Sequence, residues 1–130
     1  MTTLLGRPDA ILVDDNPQVL LALGMLLDVM GWNTSKTGHS EEALIQLKER
    51  DFEVAIIDLR MPDINGLELC RLIHGLKKKK PPVVFLHSGY VDAKYQAEVE
   101  SLGIRAILQK PIGLSEMKDI FKKFGLPCRD

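Results

Sequence analysis

Short runs of β-branched and small apolar residues alternate along the chain with longer segments whose apolar positions recur at helical spacing. The runs Ala10-Ile11-Leu12-Val13, Val54-Ala55-Ile56-Ile57 and Val83-Val84-Phe85-Leu86 lack polar alternation and are too short for helices, which is the pattern of strands covered on both faces. Residues 32–37 form a weaker, more polar run suited to a sheet edge, and residues 104–108 form a fifth strand. Asn16-Pro17 predicts a first helix, an N-cap followed by proline at the first helical position, stopped by Gly31. Ser40 is the N-cap expected for a second helix, with Glu41 and Glu42 complementing its dipole and Ala43, Leu44 and Leu47 as its packing face. A third helix is expected from Gly66 through Leu76 into the run Lys77-Lys78-Lys79-Lys80, where Pro81-Pro82 forbids continuation. Residues 92–102 predict a fourth helix ended by Gly103, and residues 114–124 a final amphipathic one with Met117, Ile120 and Phe121 inward.

Five strands alternating with five helices, without an internal repeat, predict an α/β domain: a parallel sheet with helices on both faces, because each right-handed crossover needs a helix. Residues 1–8 read as a leader, 9–125 as the domain and 126–130 as a tail. The first helix is more apolar than one packing face requires. Val19, Ala22, Leu23, Leu26, Leu27 and Met30 suffice to cover a sheet, which leaves Leu20, Leu21, Gly24 and Met25 on the opposite side. That patch reads either as extra core contact or as a docking face, where Gly24 would permit a partner helix to approach closely.

Composition narrows the possibilities mainly by exclusion. Seventeen basic against 18 acidic side chains give a net charge of −1, which offers no drive toward nucleic acid or an anionic membrane. The four consecutive lysines 77–80 read as a solvated helix end. Cys70 and Cys128 lack metal-ligand spacing and are expected as free thiols of a reducing compartment. No run reaches the roughly 20 apolar residues that span a bilayer, so a soluble cytoplasmic protein is expected. His39, His74 and His87 are scattered, and His87 reads as a packed strand-end histidine.

The polar residues that close the strands carry the chemistry. Asp14 and Asp15 end the first, Asp58 the third, Ser88 the fourth, and Lys110 the fifth, all at the C-terminal edge of a parallel sheet, where ligands bind. Three carboxylates converging there repel one another unless a cation joins them, and Mg²⁺, which prefers oxygen ligands and phosphate partners, is the natural candidate. An ionised aspartate can also act as a nucleophile toward phosphorus, with Lys110 and the Ser88 hydroxyl available to the transferred group.

These residues, with Met61-Pro62 and Gly66 following Asp58, Gly89 following Ser88 and Pro111 following Lys110, resemble the receiver domain of two-component response regulators from residue 9 to residue 124. The resemblance implies the strand order 2-1-3-4-5 of a doubly wound, flavodoxin-like or CheY-like sheet, for which a chemotaxis receiver is the standard example. It implies phosphorylation of Asp58 by a sensor histidine kinase or a histidine phosphotransfer protein, and Mg²⁺ held by Asp15, Asp14, Asp58 and the backbone carbonyl of Arg60. It further implies that Lys110 contacts the phosphoryl group, that Pro111 follows a cis peptide bond, and that Ser88 moves toward the phosphoryl oxygen as the switch. The first helix is where this family receives the kinase bundle, which favours the docking reading of Leu20, Leu21, Gly24 and Met25.

Ile107 departs from the family pattern, standing three positions before the lysine where many receivers place an aromatic residue that rotates inward. Arg60 and Tyr90 occupy the two positions that tune dephosphorylation, and both are bulky enough to shield an acyl phosphate. The expectation is a signalling phosphoacceptor rather than an enzyme, monomeric or dimerising on phosphorylation, acting on an unidentified effector without nucleic acid or membrane contact. The alternatives are a receiver cut from a larger regulator or hybrid kinase, a dehalogenase-like aspartate phosphohydrolase, whose second acid would have to stand where Arg60 is, and a phosphorylation-independent scaffold.

Overall fold

A computed structural model describes residues 5–89 and 93–129. Five parallel strands, β1 (Asp9–Val13), β2 (Asn33–Thr37), β3 (Val54–Asp58), β4 (Val83–Ser88) and β5 (Ala106–Gln109), form one sheet in the order β2-β1-β3-β4-β5. Between them run helices α1 (Pro17–Val29), α2 (Ser40–Glu49), α3 (Gly66–Gly75) and α4 (Gln96–Ser101), with a 3-10 turn, Ala93–Tyr95, leading into α4 and α5 (Leu114–Lys123) closing the chain. The α/β architecture and the strand order agree with the sequence expectation.

Strand alternation sorts the core into two layers. Ile11, Val13, Ala55, Ile57, Val84 and Leu86 face α2, α3 and α4, while Ala10, Leu12, Val54, Ile56, Phe85 and Leu108 face α1 and α5. In the second layer Phe121 of α5 meets Trp32 edge-on at 5.3 Å between ring centroids and stacks on Phe85 at 5.8 Å. Among the described residues no helix is long and apolar enough to cross a membrane.

Several local expectations are corrected by contacts between distant parts of the chain. Of the inward set expected for α1, Leu23, Leu27 and Met30 are buried and Val19 and Leu26 pack against the same layer, whereas Ala22 faces solvent and Leu20 and Gly24 are buried in addition. In a helix apolar nearly all round, the buried face is wider than the stripe that periodicity picks out. Here Lys36 of β2 lays its side chain across Gly24, where a β-carbon would collide with it. Of the four residues expected on the outer side, Leu20 is therefore core and Gly24 is covered, whereas Leu21 and Met25 are each 62% exposed.

Ser40 is the first residue of α2 rather than its cap, because the capping acceptor comes from elsewhere: its N–H donates to Asp63 Oδ2 at 3.0 Å and its hydroxyl to the Ile64 carbonyl at 2.7 Å. Helix α3 ends at Gly75 and does not extend into the lysine run, since Lys77 takes a left-handed backbone with φ of 49°. Lys78 folds back on the C-terminus of α2, donating to the Leu47 and Arg50 carbonyls and pairing with Asp51 at 3.0 Å. The chain flanking residues 9–125 is tied to it. Asn33 N–H donates to the Pro8 carbonyl at 2.9 Å, Trp32 Nε1 to the Pro127 carbonyl at 2.8 Å, and Arg129 N–H to the Met30 carbonyl at 2.9 Å.

Candidate active site

Asp58 is the last residue of β3 and lies opposite His87 of β4, so sheet pairing carries its carboxylate to the C-terminal edge at only 6% exposure. Asp14 and Asp15 directly follow β1, the other neighbour of β3, and the two acids point differently: Asp14 is 1% exposed, while Asp15 faces solvent. Asp14 is held in place by its own loop, with Asn16 N–H donating to its Oδ1 at 2.9 Å, and the Asn16 side chain in turn accepts from Gln18 N–H as the cap of α1. One carboxylate oxygen from each of Asp14, Asp15 and Asp58 lies within 4.8 Å of the others.

Lys110, immediately after β5, closes this cluster. Its Nζ lies 2.8 Å from Asp14 Oδ2 and 3.2 Å from Asp58 Oδ1, and its N–H donates to the Ser88 carbonyl at 2.9 Å. The Lys110–Pro111 peptide bond is cis. Asp14, Asp15, Asp58, Arg60, Ser88 and Lys110 thus share one open cavity of about 420 Å³. The structure brings together all the residues expected from the strand ends. Tyr90, expected at its mouth, lies outside the described residues, and Ile107 is half-buried against the α2–α4 layer.

Electrostatics in the cavity are unbalanced. Burial, and then the neighbouring charge of Asp14, push Asp58 above the usual carboxylate range despite the opposing pull of Lys110 and the Arg60 amide. Burial works against the charge of Lys110, but its bonds to Asp14 and Asp58 outweigh that and hold its pKa above the ordinary value. Burial and the Lys110 charge bring His87 down to about 4, so its imidazole is neutral near pH 7, and neither ring nitrogen has a hydrogen-bond partner. Three carboxylates facing one ammonium leave two negative charges unmatched. A hard divalent cation with oxygen ligands fits that donor set and that deficit.

Two supports of the site are invisible to a local reading of sequence. Gly66 presses on the end of β3: its N–H donates to the Leu59 carbonyl at 2.8 Å, and a β-carbon there would overlap the Asp58 carbonyl. Asp63 reaches across to the α2 N-terminus, and although burial opposes it, the amides it accepts from lower its pKa below the usual range. Capping rules examine residues adjacent to the helix, and Asp63 lies 23 positions from Ser40.

A family model described as the response regulator receiver domain matches residues 10–122. The chain belongs to that family. It is a receiver domain of two-component systems, as the strand-end residues led us to expect. A response regulator receiver protein from Pseudomonas putida superimposes with a TM-score of 0.81 at 29% identity, covering 92% of this chain and 99% of that one. The response regulator TrrA from Thermotoga maritima, solved in complex with Mg²⁺ and BeF, gives 0.76 at 27% identity over 89% of this receiver and 97% of TrrA. The signal transduction histidine-protein kinase BarA of Escherichia coli K12 is 27% identical over 112 residues, 86% of this chain but 12% of BarA. The curated relatives are far longer than this receiver, which spans between 6% and 26% of their length.

Proposed function

We propose that Asp58 is the phosphoacceptor, taking a phosphoryl group from a histidine kinase or histidine phosphotransfer protein. The observation that carries this reading is the bridging of Asp14 and Asp58 by Lys110 at the wall of a cavity that retains two unmatched negative charges. An ionised Asp58 oxygen attacks the phosphorus of the donor, the P–N bond to the donor imidazole breaks, and the leaving imidazole takes a proton. Asp14, Asp15, Asp58 and the Arg60 carbonyl are the residues that would hold Mg²⁺, as the Mg²⁺ and BeF complex of TrrA encourages. When bound, that ion supplies positive charge to the oxygens of the transferring group.

Lys110 stands where it can move from the Asp58 oxygen to the phosphoryl group, while Ser88, 5% exposed at the end of β4, offers its hydroxyl to the new dianion. Such a contact exists only in the phosphorylated state, which is what a shift between two conformations requires. With Ile107 in place of an aromatic ring, we assign output to the loop after β4 and to α4. The exposed residues Leu21 and Met25 of α1, beginning from the same edge as Asp15, serve as the face that meets the phosphodonor.

The reading makes this a signalling phosphoacceptor and not a hydrolytic enzyme, because Arg60 occupies the place of the second acid that an aspartate phosphohydrolase would use. Incubation with acetyl phosphate and Mg²⁺ tests it. A single phosphoryl mass adduct is expected on the wild type and none on Asp58→Asn; an adduct that survives that substitution moves the acceptor elsewhere, and no adduct on either chain leaves a phosphorylation-independent scaffold.

A further inference from the structure

The sheet edge opposite Asp58 carries a second cleft, of about 360 Å³, between the C-terminal end of α3 and the segments that lead into β4 and β5. Cys70, Ile73, Val84 and Leu102 supply its apolar lining, and Lys77 and Arg105 stand at its rim. The Cys70 thiol belongs to the apolar part, since burial pushes it up to about 12 and keeps it neutral.

The charge around this cleft is uncompensated. Lys78 is neutralised by Asp51 and by the end of α2, but among the described residues Lys77, Lys79, Lys80 and Arg105 enter no ion pair, and all four are exposed. A chain of net charge −1 therefore gathers four free cations beside one apolar cleft. Holding like charges together has no structural return here, because α3 has already ended at Gly75 and only Lys77 and Lys78 immediately follow its last turn.

We propose that this cleft docks an acidic segment of a partner protein, seating one apolar side chain among Cys70, Ile73, Val84 and Leu102 and its carboxylates on Lys77 and Arg105. The extent of the charge selects a peptide over a small anion: Lys79 and Lys80 lie beyond the cleft, where only an extended ligand reaches them. The lining favours a peptide over nucleic acid, because its one ring is the His74 imidazole and it holds no Phe, Tyr or Trp face for successive bases, while Cys70, Ile73, Val84 and Leu102 suit an aliphatic side chain. The site lies on the far edge of the sheet from Asp58, so it remains open while the phosphodonor occupies the other edge.

The probe is a fluorescein-labelled peptide of alternating Glu and Asp around one central Leu, compared with its Leu→Ser version and with a single-stranded oligonucleotide of equal charge. Fluorescence polarisation should show saturable binding of the Leu peptide, weakened by about tenfold on Leu→Ser and by about tenfold on Lys77→Glu or Arg105→Glu. Circular dichroism and the Asp58 adduct with acetyl phosphate should be unchanged in both variants, since neither residue touches that cavity. Equal binding of the Ser peptide or the oligonucleotide overturns the proposal in favour of diffuse electrostatics, and so does absence of saturable binding at millimolar protein. Failure of the Asp58 adduct alone leaves this site standing.

Discussion

Gly66 packs against the backbone carbonyl of Asp58 so closely that a β-carbon at position 66 would overlap the oxygen and lie 2.8 Å from Leu59 Cα. The atoms it would strike are backbone, which has no rotamer to yield. Gly66→Ala must displace the end of β3 or the start of α3, at a cost of about 1 to 3 kcal/mol or more. Thermal unfolding should show that loss, and the rate of Asp58 phosphorylation by acetyl phosphate should fall with it. Gly75→Ala is the control: nothing lies within 4 Å of a β-carbon there, so its melting temperature should be unchanged or slightly higher.

Asp58 itself should cost the fold stability. Burial and Asp14 raise its pKa in the folded chain, so between its unfolded and folded values the native state binds more protons than the unfolded state. Stability therefore falls as pH rises through that window, and the penalty is fully present above it. At pH 7 without Mg²⁺, Asp58→Asn should be more stable by about 1 kcal/mol, a few degrees in melting temperature. The difference should close as pH drops below the window. If the carboxylate cluster holds Mg²⁺ as proposed, adding the ion should raise the wild-type melting temperature and have less effect on Asp58→Asn, because only the folded chain brings those carboxylates together.

Arg60 lines the mouth of the Asp58 cavity with its side chain largely in solvent, while its amide lies 3.4 Å from Asp58 Oδ1. Substitution by asparagine keeps the amide and removes the bulk that screens an acyl phosphate from water. Decay of phosphorylated Arg60→Asn, followed by loss of the phosphoryl mass adduct, should be several-fold to about tenfold faster than wild type. An unchanged decay would show that Arg60 does not shield the bond.

The strand-end cavity was legible in the sequence because its carboxylates, its serine and its lysine end strands or directly follow them. Asp14, Asp15, Asp58, Ser88 and Lys110 follow short apolar runs, and a parallel sheet brings all such ends to one edge whatever the details of packing. What escaped depends on pairs of residues far apart in the chain. Asp63 caps α2 from the loop after β3, Lys78 ties the end of α2 to the segment after α3, and Lys36 of β2 covers Gly24 of α1. None of these leaves a periodic trace, since each partner is polar or small and satisfies no local rule by itself.

Burial of Leu20 and Gly24 narrows what the outer side of α1 offers. Leu21, Met25 and Val29, spaced by one helical turn, are 62%, 62% and 54% exposed and form an apolar stripe. The stripe descends from the end of α1 that follows Asp15, so a helical phosphodonor placing its histidine at Asp58 would meet Leu21 first. Leu21→Lys and Met25→Lys should then slow phosphotransfer from a histidine kinase or phosphotransfer protein by about tenfold or more, the effect of burying a charge at an interface core. Transfer from acetyl phosphate, which needs no docking face, should be unchanged in the same variants. Equal loss with both donors would trace the effect to the folded site, and no loss with the protein donor would remove α1 from the docking surface.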